Sequence, residues 1–448
     1  MLDLSDKRVV VVGLGASGVA AARLCVRLGA RVVANDSKPY GALNEEARRL
    51  EGLGARIEAG AHAPTSLAEA DLIVVSPGVP ALPEILAAER QGVPIWGEVE
   101  LATRAMRHPA PIIAVGGTNG KSTTTSLVGA MLEGSGMSAF VGGNLGEPLA
   151  GCVDTPFDVV VLEVSSFQME RVDAFRPHVS ALLNITEDHL DRYVSFKHYA
   201  DAKGNAFARQ TDADWAVVPF GDSACLGQAK RGRARITTFG PGGVVDVTSD
   251  EIVDRRTGDR FARAEMALSG GHNALNVAAA IASVAPFGLT ASTIRKILKE
   301  FRNLPHRTAL VAEVHGVRFY DDSKGTNVGA TVSALEGLAE PRAVLIAGGR
   351  DKGGTYAPLV EALARKGRAA VLIGEAAEAI ARAIDDRIPV CRADSMPDAV
   401  RRSAALARPG DAVLLSPACS SFDMFRDYKH RGDEFVLAVQ MLALEPSS

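Results

Sequence analysis

The chain lacks a paired-cysteine pattern, a long apolar run, an excess of either charge and any short-period repeat. Its five cysteines, Cys25, Cys152, Cys225, Cys391 and Cys419, are odd in number, widely scattered and never spaced as CxxC. That excludes a disulfide framework and a structural zinc site, and it points to a reducing compartment, the cytoplasm. No stretch of about 18 or more apolar residues occurs, so no membrane span is expected. Residues 1–8 alternate apolar and charged residues ahead of a strand, without the apolar centre of a signal peptide. The net charge of −4, from 49 Lys+Arg against 53 Asp+Glu, offers no basic excess to a phosphate backbone, so no nucleic-acid partner is expected. The one dense basic run, Lys230, Arg231, Arg233 and Arg235, is short and reads as a solvated loop.

What remains is a globular composition, 47% hydrophobic and 23% charged, over 448 residues. One core stops growing near about 250–300 residues, so several domains are required, with three the central expectation. Gly is abundant, and it falls beside strand-like runs rather than in repeats. Short β-branched runs at 9–12, 30–34, 55–58, 72–75 and 93–96 alternate with helical spacing at 19–28 and 43–53. Apolar strands between amphipathic helices predict a parallel sheet covered on both faces. A second unit opens at the strand 111–115 and continues through 138–141, 159–162 and 180–183. From about 214 to 268, short strands and Gly/Asp turns predict an antiparallel insertion or sheet edge, and helices return at 273–284 and 291–301. The first of these is Ala-rich and reads as a buried core helix. Beyond 304–306 the alternation repeats, with strands at 317–320, 343–346, 369–373 and 412–415.

The most informative segment is the strand 112–115 running into Gly116-Gly117-Thr118-Asn119-Gly120-Lys121-Ser122-Thr123 and then a helix. Glycines let backbone N–H groups converge on phosphate oxygens, and the helix N-terminus adds donors. The loop departs from G-x-x-x-x-G-K-[ST], because its first Gly would fall at Val115. A helix dipole contributes only about 0.3–1 kcal/mol at an exposed site. One full charge at ~4 Å contributes about 4 kcal/mol at an effective dielectric near 20. Lys121 and a metal must therefore carry most of the triphosphate electrostatics. Ser122 is placed to coordinate Mg²⁺. Glu163 ends the apolar run 159–162 as a Walker-B carboxylate does. Asn184 to Tyr193 gather acids and His189 after another strand, where α/β sites collect.

Gly13-Leu14-Gly15-Ala16-Ser17-Gly18 is G-x-G-x-x-G between a strand and a helix, and Asp36 lies 18 residues beyond Gly18. The pattern requires a diphosphate on a helix N-terminus and a ribose near the acid. NAD fits it, and so does a UDP-sugar.

Together these segments resemble the Mur ligase family over essentially the whole chain. The resemblance is carried by the 13–18 turn, Ser76-Pro77-Gly78, the 117–123 loop, Gly143-Asn144-Leu145-Gly146 and Glu163 to Gln168. It continues in Asn184 to Tyr193, Gly271 to Asn276, Leu304 to Arg307 and Asp321 to Asn327. Ser416 to Asp423, followed by Arg431 to Phe435, resembles the D-glutamate-adding members in particular. The resemblance implies an α/β fold of three consecutive domains. These are an N-terminal Rossmann-like domain for UDP over 1–98, a central P-loop ATPase-like parallel sheet with an antiparallel insertion over 99–304, and a C-terminal Rossmann-like domain for the incoming amino acid over 305–448.

It further implies a monomeric ATP-dependent amide ligase of peptidoglycan precursor synthesis, with ATP and Mg²⁺ as cofactors. Its substrates would be UDP-N-acetylmuramoyl-L-alanine and D-glutamate, joined through an acyl phosphate. Lys121, Ser122 and Thr123, with Gly117, Thr118, Asn119 and Gly120, would hold the phosphates. Glu163 and His189 would be metal ligands together with Ser122. Lys203 would be a carbamylated lysine at the metal; without the resemblance it reads as a solvated helical lysine. Lys121, His189 and Lys203 would be the catalytic groups. Asn273, Asn276, Arg307 and Asp322 would contact adenosine and the γ-phosphate. Ala16, Ser17, Asp36, Ser37, Gly78 and Asn144 would take the UDP-sugar end. Thr326, Lys352, Ser421, Phe422 and Tyr428 would take D-glutamate. A dicarboxylate needs a cation, which supports Lys352 independently; its plain alternative is a solvated loop lysine. Competing readings are another Mur or folylpolyglutamate-type ligase, an NAD-dependent oxidoreductase and a non-catalytic nucleotide-binding module. The DNPR motif of the diaminopimelate- and lysine-adding members is missing, and folylpolyglutamate synthases lack the N-terminal nucleotide-sugar domain.

Overall fold

Valine and isoleucine runs build the strands, and in the first sheet both faces of each run are covered. The computed structural model describes residues 2–61, 64–302 and 304–444. Met1 and 445–448, the ends of the expected first and third domains, lie outside them. Strands β1 (Arg8–Val12), β2 (Arg31–Asp36), β3 (Arg56–Ala59), β4 (Leu72–Val75) and β5 (Ile95–Gly97) pair in parallel in the order β3-β2-β1-β4-β5. Val9 and Val11 enter one apolar cluster, and Val10 and Val12 another. Alternate side chains thus bury opposite faces, as a doubly covered parallel sheet requires. The helix expected over 43–53 is broken. Asn44 caps a single turn, Glu45–Arg48, by accepting the Ala47 N–H at 2.8 Å. A 3₁₀ turn, Glu51–Leu53, follows and ends at Gly54 with φ +96°. Two glycines, Gly52 and Gly54, stop the helix from propagating.

The second sheet holds β6 (Ile112–Gly116), β7 (Ala139–Gly143), β8 (Val159–Glu163), β9 (Val179–Leu182), β10 (Trp215–Pro219), β11 (Arg235–Phe239), β12 (Val245–Val247), β13 (Glu251–Asp254) and β14 (Asp259–Ala262). Their order is β14-β13-β12-β11-β10-β9-β6-β8-β7. The antiparallel part is narrower than the pattern suggests. β10 and β11 continue the parallel sheet, and only β12–β14 turn antiparallel at its edge. Lys230, Arg231, Arg233 and Arg235 are exposed, though Arg235 begins β11. The helix Gly271–Val284 is buried along 277–282.

The third sheet runs β15-β16-β20-β17-β18-β19, from β15 (Ala309–Val314), β16 (Val317–Asp321), β17 (Ala343–Gly348), β18 (Gly367–Ile373), β19 (Val390–Arg392) and β20 (Ala412–Leu415). Only β15 is antiparallel to its neighbour. β15 and β19 are edge strands with exposed positions, so neither carries the continuous apolar run that marks the central strands.

Contacts divide the chain into two compact units. The first comprises Met1–Ile185, Lys197–Ala262 and Leu275–Lys299 and holds the first two sheets. The second comprises Thr186–Phe196, Arg263–Ala274 and Glu300–Ser448 and holds the third. Within the first unit one apolar cluster runs through both sheets, joining Val9, Val11 and Leu24 to Ile112, Ala114, Val160 and Leu162. Across the expected 98/99 domain boundary the chain folds as the helix Glu98–Ala105 and packs into that core. Glu98 accepts the Ala150 N–H at 2.7 Å. Glu100 accepts the N–H groups of Asp173, Ala174 and Phe175 at 2.9, 2.9 and 3.0 Å.

Candidate active site

In open parallel sheets, ligand sites form beyond the carboxyl ends of strands, where the strand order reverses. β6 lies at such a point in the second sheet, between β9 and β8. It feeds the phosphate loop, in which Gly117 and Gly120 take φ of +145° and +84°. A side chain at Gly120 would run into the Asn276 carboxamide, so Asn276 lies directly over the loop. The amides of Thr118 and Asn119 both donate to Asn184 Oδ1, at 3.1 and 2.8 Å, and Asn184 Nδ2 donates back to the Asn119 carbonyl at 3.1 Å. Lys121 Nζ folds onto the Thr118 carbonyl at 2.8 Å. The helix Lys121–Gly134 then presents its N-terminal amide row, with Ser122 and Thr123 buried in its first turn.

Lys203 is buried, which corrects the reading of it as a solvated lysine. Its Nζ donates to the Gly117 carbonyl at 2.8 Å and sits over the Tyr199 ring, 4.4 Å from the centroid. The Tyr199 hydroxyl meets Thr118 Oγ1 at 3.0 Å. The helix Phe196–Gly204 therefore grips the loop from below. Glu163 is buried at the end of β8, paired in register with Val115 of β6. Its Oε1 accepts Asn144 Nδ2 at 2.6 Å.

A cavity of about 500 Å³ in the first unit is lined by Ala16, Ser17, Asp36, Ser37, Gly78 and Asn144, all six of the residues expected at the UDP-sugar end. Its floor depends on two glycines. Gly13 has φ +87°, and a β-carbon there would come within 2.6 Å of Val79 Cγ2. A β-carbon at Gly18 would overlap the Gly13 carbonyl oxygen, so the helix can approach the turn only with glycine at both positions. Asp36 holds the turn as well as lining the cavity, accepting the N–H of Leu14 at 2.7 Å and of Lys38 at 2.9 Å.

The second unit holds a smaller cavity, about 310 Å³, lined by Thr326 and Lys352 with Asp188, Asn327 and Tyr356 among others. Lys352 Nζ meets Asp188 Oδ1 at 3.2 Å, and Asn327 Nδ2 meets Asp188 Oδ2 at 3.2 Å. Lys352 is therefore an ion-paired, mostly buried cation rather than a solvated loop lysine. Ser421, Phe422 and Tyr428 do not line this cavity. Ser421 is buried, Phe422 is 67% exposed, and the Tyr428 ring carries Lys324 Nζ 3.8 Å from its centroid. His189 follows Asp188 with φ +58°, its Nε2 3.6 Å from Asp188 Oδ2. Asp322 is buried at the end of β16, where it accepts Ser416 Oγ at 2.6 Å and the Thr308 N–H at 3.1 Å. Burial pushes its carboxyl up to about 7, against the opposing pull of the Ser416 hydrogen bond and the Arg307 charge. Asn273 Nδ2 donates to the Ser269 carbonyl at 2.8 Å.

Comparison with known proteins covers nearly the whole chain. Residues 7–97 match the Mur ligase MurD-like N-terminal domain, 115–284 the Mur ligase middle domain, and 306–419 the Mur ligase glutamate ligase domain. The chain is 43% identical to the UDP-N-acetylmuramoylalanine--D-glutamate ligase of Geobacter metallireducens, covering 98% of this chain and 99% of that protein. It is 44% identical to the protein of the same name from Desulfosudis oleivorans, covering 98% of each. The chain belongs to the Mur ligase family. A solved MurF ligase from Thermotoga maritima in complex with ADP shares the fold, with a TM-score of 0.64 at 17% identity over 98% of this chain and 96% of that one.

For a Mur ligase the donor set suits a hard divalent cation. The buried Glu163 carboxylate ends β8, and Ser122 lies in the first turn of the helix that follows the adjacent strand β6, so both offer oxygen donors. Among the described residues no cluster of three or more His, Cys, Asp or Glu side chains is set to hold a metal. Mg²⁺ is commonly held by one or two carboxylates plus phosphate and water, so no all-protein cage is required. Ser122, Glu163 and Lys203 belong to the first unit and His189 to the second. Sequence reasoning gave no role to Asn184, Tyr199 or Asp188. Asn184 and Asp188 stood inside a recognised acidic segment, but their partners lie 65 and 164 residues away.

Proposed function

We propose that this chain joins D-glutamate to UDP-N-acetylmuramoyl-L-alanine at the expense of ATP, one step of peptidoglycan precursor synthesis. The observation that carries the reading is identity of 43–44% along 98% of the chain to relatives that bear this activity in their names. A carboxylate is a poor electrophile, so the γ-phosphoryl group of ATP is first transferred to the L-alanine carboxylate, releasing ADP. The neutral amine of D-glutamate attacks the resulting acyl phosphate. The tetrahedral intermediate expels phosphate, the amine loses its proton, and the amide remains.

The chain's own groups divide this work. Lys121 and the amides of the 117–123 loop bind the triphosphate, and Asn276 covers it. Asn273, Arg307 and Asp322 serve the adenosine and γ-phosphate. The 500 Å³ cavity takes the UDP-sugar, with Ala16, Ser17, Asp36, Ser37, Gly78 and Asn144 in its wall. Thr326, Lys352, Ser421, Phe422 and Tyr428 serve D-glutamate, whose carboxylate competes with Asp188 for Lys352. Ser122, Glu163, His189 and a carbamylated Lys203 would hold Mg²⁺, which supplies positive charge against the phosphates when bound. The domains run 1–98, 99–304 and 305–448. No described helix is long and apolar enough to cross a membrane. The enzyme acts as a cytoplasmic monomer.

Omission of single components tests the reading. Phosphate release is expected only when ATP, Mg²⁺, UDP-N-acetylmuramoyl-L-alanine and D-glutamate are present together. Equal turnover with L-glutamate or L-lysine would refute the amino-acid assignment. Saturable quenching of NADH fluorescence without ATP turnover would favour an oxidoreductase instead.

A further inference from the structure

Arg431 lies in the final helix, Tyr428–Leu444, and is among the largest fully buried side chains, with 0% exposure. A buried guanidinium normally meets a carboxylate, because desolvating an unpaired charge is costly. Among the described residues Arg431 makes no direct ion pair, although Asp423, Asp321 and Asp322 lie near enough to favour its charge. It donates instead to three neutral oxygens: Ser323 Oγ at 3.0 Å, the Ser323 carbonyl at 2.8 Å and the Cys419 carbonyl at 3.2 Å. It also packs against Gly349, where a β-carbon would lie 3.3 Å from Nη1. Burial lowers its pKa to about 10, which leaves it charged at neutral pH.

The three contact points are not scattered. Ser323 is in the loop after β16, Gly349 in the loop after β17 and Cys419 in the loop after β20, and these three strands are neighbours in the third sheet. The same loops carry Thr326, Lys352 and Ser421. They are already stitched to one another, with Ala418 N–H donating to the Gly325 carbonyl at 2.9 Å and Arg350 and Ser420 exchanging backbone bonds. The guanidinium bonds the first and third of these loops and lies beside the second at Gly349. Ser323 Oγ, which accepts from Arg431 Nε, donates onward to the Tyr428 carbonyl at 2.7 Å, so the brace also reaches the helix start.

We propose that Arg431 is a positioning residue for the amino-acid substrate: it fixes the three loops that present Thr326, Lys352 and Ser421, and its charge, bound directly by neutral oxygens, favours an amino acid with an additional carboxylate. The inference rests on the ligase reading above. A neutral donor could serve the same three oxygens without the cost of desolvating a charge, so the retained charge points to a further use. A dicarboxylate brought to the loop ends supplies one, since a positive charge fixed beneath a site favours an anion without reorganising.

The test is steady-state phosphate release by the full-length chain and its Arg431→Lys, Arg431→Met and Ser323→Ala variants. In Arg431→Met the KM for D-glutamate is expected to rise about tenfold or more, the scale of one lost hydrogen bond to a charged group, with the KM values for ATP and the UDP substrate within about twofold. The preference for D-glutamate over neutral D-glutamine should fall in Arg431→Met and be largely kept in Arg431→Lys. Ser323→Ala, which removes one acceptor and leaves the charge, should raise the KM for D-glutamate in the same direction. It remains decisive if the Arg431 variants fail to melt cooperatively. An unchanged KM for D-glutamate in Ser323→Ala, equal losses for all three substrates, or an unaltered D-glutamate to D-glutamine preference in Arg431→Met would overturn the proposal. Absence of D-glutamate-dependent turnover in the unsubstituted chain would instead refute the ligase reading itself.

Discussion

Glu98 and Glu100 occupy one helix two residues apart, and both are buried, yet they are solvated by the protein to different extents. Glu100 receives three backbone N–H groups and Arg104, while among the described residues Glu98 receives only the Ala150 N–H. With so little compensation, burial pushes the Glu98 carboxyl up from 4.5 to about 7. A raised carboxyl pKa destabilises the fold at high pH. Below the unfolded value both states are protonated, and as the pH climbs to about 7 the unfolded chain ionises first. The penalty is complete above the folded value and reaches at most about 3 kcal/mol. Glu98→Gln keeps an oxygen for Ala150 and removes the titration. The variant should gain stability over the parent by about 2 kcal/mol more at pH 8 than at pH 5 in denaturant melts. A pH-independent difference would show that Glu98 is already ionised in the folded state.

At the scale of elements, the phosphate loop is held by its neighbours as much as by its own glycines. The Asn184 side chain, just after β9, makes three hydrogen bonds to the 118–119 backbone, and Lys203 and Tyr199 approach from the helix Phe196–Gly204. Asn184→Ala removes three side-chain hydrogen bonds to the loop, each contributing about 0.5–1.5 kcal/mol, while the Thr118 N–H keeps the Asn184 backbone carbonyl at 3.1 Å. The KM for ATP should rise about tenfold, while the melting temperature falls by only a few degrees. An unchanged KM for ATP would mean that the glycines suffice. The loop itself was legible, because strand, glycines, Gly-Lys-Ser-Thr and helix are contiguous and each residue type has a local reason. Its clamp was not, because an asparagine after a strand carries no pattern until the strand order places β9 beside β6. The same holds for Lys352, whose need for a dicarboxylate partner could be argued, whereas its present partner Asp188 could not. The broken helix at 43–53 and the late start of the antiparallel edge are failures of another kind. There, apolar spacing alone outweighed Gly52 and Gly54, and the Gly/Asp turns hid two parallel strands.

For the whole molecule, the alternation of strands and helices was enough to foresee three sheets, and the glycine turns were enough to say where two of them would be open to ligands. How the cores are shared was not foreseen, because sharing depends on which helix faces meet. The core of the first unit joins Val9 and Leu24 to Ile112 and Leu162 without interruption. The third sheet has two clusters of its own, one on each face, with Leu345 and Leu414 in one and Val344 and Val413 in the other. The proposed first domain, 1–98, would therefore expose on isolation one face of its sheet and the helix Ala16–Arg27. It would also lose the helix Glu98–Ala105, whose Val99, Leu101 and Ala102 fill that face. Exposed apolar area costs about 25 cal/mol per Å², and a domain's net stability is only about 5–15 kcal/mol. A fragment of residues 1–98 should accordingly show no cooperative thermal transition. A fragment extended through the second sheet's parallel core should recover one. A melt of the short fragment within a few degrees of the full chain would mean that the shared core adds little, and that the first domain folds on the strength of its other face, Val10, Val12, Ile73 and Ile85.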